Sequence, residues 1–127
     1  MSLELIATLL PIHRQLANTG VLYMFACGVW GLFKVWRKQP MDANYRGMLA
    51  IGYVLGDVIG VLGMALLLSG AQPRDPIHIL YGLLAALSLP AAAVYNLNRG
   101  DDRKPLVYAL VSFFVFGVLI RGIITAR

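Results

Sequence analysis

GMLAIGYVLGDVIGVLGMALLLS, residues 47–69, is a run of twenty-three residues whose one charge is Asp57. A helix of that length rises about 34 Å, enough to cross the ~30 Å hydrocarbon core of a bilayer. Working outward in both directions, comparable apolar runs cover 15–35, 77–97 and 105–125. Breakers separate them: Arg37-Lys38-Gln39-Pro40, Ser69-Gly70-Ala71-Gln72-Pro73 and Asn98-Arg99-Gly100-Asp101-Asp102. The reading is four transmembrane helices in an all-α, integral membrane, up-and-down bundle. Short connections make consecutive helices antiparallel neighbours, so the bundle also reads as two tandem helical hairpins within a single membrane domain, 1–127. The first ten residues end at Pro11 and lack a basic start, which fits neither a cleaved signal nor a full span and suggests an interfacial or frayed extension.

Composition agrees with this reading. Of 127 residues, 59% are hydrophobic and 13% are charged, against roughly a quarter charged in soluble domains. That excludes an ordinary soluble domain and a disordered chain. The net charge of +5 arises from basic residues placed between the apolar runs, so it sets topology and predicts no nucleic-acid partner. Four spans leave no room for a separate catalytic domain, and no Walker loop, dinucleotide fingerprint, zinc-peptidase motif or hydrolase serine elbow occurs. An enzyme is not expected. Cys27 is the single cysteine and reads as a small packing residue.

Lys34, Arg37, Lys38 and Arg46 surround the first connection and Arg99, Arg103 and Lys104 the third, whereas the second holds only Arg74. The positive-inside rule then places the first and third connections in the cytoplasm and both termini outside. The expected location is the cell inner (cytoplasmic) membrane. Trp30, Trp36, Tyr45 and Tyr108 near the cytoplasmic side read as an interfacial aromatic belt.

Pro11-Ile12-His13 and Pro76-Ile77-His78 repeat one tripeptide at the starts of the first and third spans. Proline suits a first helical turn, so both histidines are expected just inside their helices. Small residues follow each at i+4 and i+7: Ala17 and Gly20 after His13, Gly82 and Ala85 after His78. Each set forms one stripe. Both histidines fall at the outer side on diagonal helices, whose axes are expected roughly 11–14 Å apart. Across that gap the imidazoles cannot quite touch, yet both could ligate a metal between them. A haem iron with the macrocycle over the small residues fits; zinc is left short of its usual ligand number.

His13-Arg14, followed by Ala17 in an apolar span, resembles the haem-ligating helix starts of small four-helix membrane b-type cytochromes and of haem A synthase halves. The similarity covers the helix plan and the two histidines. Those families commonly carry a second histidine pair, and His13 and His78 are the only histidines here. The resemblance therefore implies one bis-histidine haem b, with His13 and His78 as metal ligands.

Asp57 lies near mid-membrane, where a carboxylate must be paired, neutralised or wet. Burial would raise its pKa, and Tyr23 at similar depth is a candidate partner. Gly52, Gly56 and Gly60 give the same helix a smooth face for close packing. Arg14 and Arg121, on the outer side, are placed to receive carboxylates such as haem propionates or lipid headgroups, with Tyr81, Asn18 and Thr125 completing a polar rim. The expected function is a small subunit carrying one outer-side haem b for electron transfer in a respiratory- or photosynthetic-type complex. The competing reading is a non-catalytic accessory subunit that binds lipid, quinone or pigment. Expected partners are the lipid bilayer and a larger membrane complex or a homo-oligomer. Proton-coupled transport through Asp57, with Pro90 kinking the third span, is a third reading.

Overall fold

The computed structural model describes residues 2–98, 100 and 103–126. The chain forms α1 (Ser2–Trp36), α2 (Ala43–Leu68), α3 (Ile77–Tyr95) and α4 (Lys104–Ala126), with no strand among the described residues. All four helices are long and apolar enough to cross a membrane. This is an all-α four-helix bundle, and the chain is a multi-pass membrane protein. Arg99, Asp101 and Asp102 of the third connection lie outside the described residues.

α1 packs on α2 and α4, and α3 packs on the same two helices. α1 therefore faces α3 across one diagonal, as the up-and-down plan requires. The lateral surface is apolar: Leu22, Val54, Leu87 and Leu110 are all exposed. Such a belt is at home in lipid, where it would be an aggregation hazard in water.

The first helix differs from expectation. It runs unbroken through Pro11, joining the first ten residues to the span. Proline removes only the N–H that would bond Ala7, and membrane helices tolerate that loss. His13 is thus about three turns inside α1 rather than in its first turn. His78 is the second residue of α3, two positions after Pro76 at the N-cap, just inside the helix as the sequence suggests.

Glycines set how closely α1 meets its neighbours. A Cβ on Gly28 would lie 2.8 Å from the Phe113 ring, and one on Gly31 would lie 2.8 Å from the Ala109 Cβ and overlap the Tyr45 hydroxyl. Tyr45 is fully buried and its hydroxyl donates to the Cys27 carbonyl at 3.1 Å. It is therefore a core residue and not part of an aromatic belt, and Tyr108 is likewise buried; Trp30 and Trp36 remain exposed. Gly56 and Gly60 lie against Ala85 and Ala86 of α3, so the glycine face of α2 serves close packing within the subunit.

The connections are fixed by capping. Lys34, only 2% exposed, donates to Asp42 Oδ2 at 2.6 Å, while Asp42 Oδ1 accepts the Tyr45 N–H at 2.8 Å and caps α2. α2 ends with Gly70 at φ 99°, where the Ala71 N–H reaches the Leu66 carbonyl and the Gly70 N–H that of Leu67. This paired closure needs a left-handed residue, which glycine supplies without a Cβ clash.

Candidate functional site

His78 is held by the junction of two helices. The Asp75 N–H donates to the Thr125 carbonyl at 3.1 Å, pinning the start of α3 to the end of α4, and Asp75 Oδ1 accepts the Ile77 N–H. The His78 ring then points back at α4, with Nδ1 2.7 Å from the Gly122 carbonyl oxygen. A carbonyl only accepts, so Nδ1 is the donor in this contact. The Thr125 hydroxyl, 3.4 Å from Nδ1, donates to the Arg121 carbonyl.

His13 approaches from the diagonal helix. Its ring lies against the backbone of α2, where a Cβ on Gly63 would come within 3.2 Å of Cε1. Its Nδ1 is buried and has no hydrogen-bond partner among the described residues. The two imidazoles meet with ring centroids 6.2 Å apart and planes at 77°. The two rings therefore come within edge-to-face contact distance of each other. Two imidazoles on opposite sides of one ion, each nitrogen about 2.0 Å from it, would have centroids roughly 6 Å apart as well.

No group of three or more His, Cys, Asp or Glu side chains converges among the described residues. A two-imidazole set suits an ion that brings its own equatorial donors, as haem iron does. Space is tighter than the donor set. Beneath the histidines the bundle holds a cavity of about 20 Å³, bordered by Gly20, Gly56, Gly82 and the side chains of Leu55, Ile59 and Leu119. That is room for about one water. The ends of Ile59 and Leu119 fill the hollow that Gly20 leaves, 3.2 Å from where its Cβ would stand, while an added Cβ on Gly82 would meet nothing. A macrocycle does not fit this hollow with the side chains as they stand.

Of the other candidate residues, Arg121 and Tyr81 are brought together beside His78, with the guanidinium 6.0 Å from the ring centroid. Arg121, Arg14 and Asn18 are exposed. Asp57 is also exposed, on the outer face of α2, and it does not meet Tyr23, whose hydroxyl donates to the Met48 carbonyl instead. Gly63 and Gly122 were missed by sequence reasoning. The Asp75-Pro76 helix start, in contrast, is a recognisable local signal for how α3 begins. Comparison of the chain with protein-family models, with curated proteins and with solved structures gives no match.

Proposed function

We propose that the protein is a small membrane subunit that holds one haem b between His13 and His78 and passes electrons within a larger respiratory- or photosynthetic-type complex. The observation that carries this reading is the pair of imidazoles facing each other across the bundle diagonal, centroids 6.2 Å apart. Two further features support it. The His78 Nδ1–H is committed to a backbone carbonyl, the outer-shell contact that metal-binding histidines typically make. The Nδ1 of His13 is buried with no hydrogen-bond partner among the described residues.

In this reading His13 and His78 would hold the iron, Leu55, Ile59 and Leu119 would border the ring, and Arg14, Arg121 and Tyr81 would receive the propionates. Haem, when bound, would supply one reversible electron. The protein's own part is to hold the two imidazoles facing each other. Topology follows the positive-inside rule, with both termini outside the cytoplasmic membrane.

A second reading is favoured by the small interior. An accessory subunit binding lipid, quinone or pigment needs no central cavity, and an open groove of about 490 Å³ runs between α3 and α4 along Ser88, Tyr95, Val111 and Phe114. One spectrum separates the two. Protein purified from haem-replete cells is expected to show the sharp reduced bands of a low-spin b-type haem after dithionite. A featureless visible spectrum at full haem supply would leave the accessory reading standing and remove the first.

A further inference from the structure

The groove between α3 and α4 is built from two stripes. On α3, Ser88, Ala92 and Tyr95 recur at helical spacing, and on α4 Val107, Val111 and Phe114 do the same. Small residues keep its middle low, while the exposed rings of Tyr95 and Phe114 stand at its two ends. Tyr95 is the last residue of α3 and Val107 lies in the first turn of α4, so the groove opens at the third connection. Its far end, Phe114, is about 15 Å along the helix axis from Lys104. A bilayer core is ~30 Å thick, so the groove is one leaflet deep.

Its chemistry changes along that depth. Away from the mouth the one polar side chain of the lining is Ser88, whose hydroxyl donates to the Leu84 carbonyl. A quinone or a polar pigment finds no ready donor there, whereas an alkyl chain needs none. At the mouth the α4 stripe continues one turn back to Lys104, with Arg103 exposed beside it. The third connection carries Arg99, Arg103 and Lys104 against Asp101 and Asp102, so its balance is positive. Lys104 has contacts of its own, and an ammonium with three donors serves a phosphate alongside them. An apolar channel one leaflet deep that ends in a cation complements an apolar tail joined to an anionic head.

We infer that this groove seats one acyl chain of an anionic phospholipid from the leaflet of the third connection, with its phosphate at Lys104 and the Tyr95 ring at headgroup level. The inference deepens the accessory reading by naming the ligand of its groove, and it stands independently of what His13 and His78 hold. Full-length protein carrying Trp30→Phe and Trp36→Phe, with one tryptophan placed beside the groove as Leu110→Trp, is reconstituted in phosphatidylcholine vesicles. Quenching by brominated phosphatidylglycerol and by brominated phosphatidylcholine then gives their relative occupancy. Phosphatidylglycerol is expected to be preferred about three- to tenfold. Lys104→Gln should bring that ratio near one and Lys104→Arg should keep it. Arg37→Gln removes the same charge from the first connection, on the same side of the bundle, and should leave the ratio unchanged. A tryptophan at comparable depth on α2, Ile51→Trp, should show no preference. Equal quenching by the two lipids at Leu110→Trp, the same preference at Ile51→Trp, or a fall in Arg37→Gln as large as in Lys104→Gln would each overturn the inference. Quenching at Leu110→Trp by a long-chain quinone that phosphatidylglycerol does not displace would overturn it too, while leaving the accessory reading intact.

Discussion

His78 Nδ1 lies 2.7 Å from the carbonyl oxygen of Gly122, so the orientation of a candidate ligand on α3 is decided by the backbone of α4. A Cβ added at Gly122 would stand 3.9 Å from the imidazole, an ordinary contact, so the backbone carbonyl and not the missing side chain sets this approach.

From this follows a ranking of substitutions. If haem b is held as proposed, His13→Ala and His78→Ala are each expected to abolish the low-spin spectrum, since either removes one of the two nitrogens that would hold it. Arg121→Ala, whose partner is the Tyr81 ring and whose proposed role is charge pairing, is expected only to weaken haem retention or shift the potential. An unchanged spectrum in either histidine variant defeats the ligand assignment.

Gly31 is, with Gly28, one of the tight points of the α1–α4 contact. Gly31→Ala drives a methyl into the Tyr45 hydroxyl and to 2.8 Å from the Ala109 Cβ. Overpacking of this kind costs about 1–3 kcal/mol. Tyr45→Phe vacates the hydroxyl's place but gives up its bond to the Cys27 carbonyl. The double variant should therefore be less destabilised than the sum of the singles, with partial rescue only, because Ala109 remains in the way. Additive losses in a denaturation series would show that the two positions do not share this space.

How much of this was legible beforehand differs by level. Four apolar runs and their breakers gave the helices and their order, because length against bilayer thickness is a one-dimensional criterion. The matched histidines were found as a pair because a repeated tripeptide at two helix starts is also one-dimensional. Helix rotation was not legible: nothing local distinguishes Tyr45, buried under Gly31, from Trp36, exposed to the surroundings. The same blindness hid the outward turn of Asp57. Pro11 misled in the opposite way, since its helix-start preference is a propensity that an apolar helix overrode.

The first connection carries a titrating contact outside the spans. Lys34 donating to Asp42, and secondarily the Tyr45 N–H, hold the Asp42 carboxyl below the ordinary carboxylate range. A depressed folded-state pKa stabilises the fold above the unfolded value near 3.8–3.9, and that contribution fades as pH falls through the lower folded-state value. The stability difference between wild type and Asp42→Asn should stay flat above about pH 5 and shrink below about pH 4. A difference that does not vary with pH would mean the carboxylate charge is unimportant there.

Topology rests on charges whose roles the fold now separates. Lys34 is neutralised by Asp42 and no longer counts as a free marker. Arg37 and Lys38 stand on the first connection with Arg46 in the first turn of α2, and Arg103 and Lys104 at the start of α4, whatever their own contacts, against Arg74 on the second connection. The bias survives, so the second connection is expected outside. Gln39 and Gln72 are both exposed, one on each connection, and Cys27 is fully buried and silent to thiol reagents. In intact cells an impermeant maleimide should label Gln72→Cys and reach Gln39→Cys only after permeabilisation. The opposite pattern would invert the bundle and move the histidine pair to the cytoplasmic side.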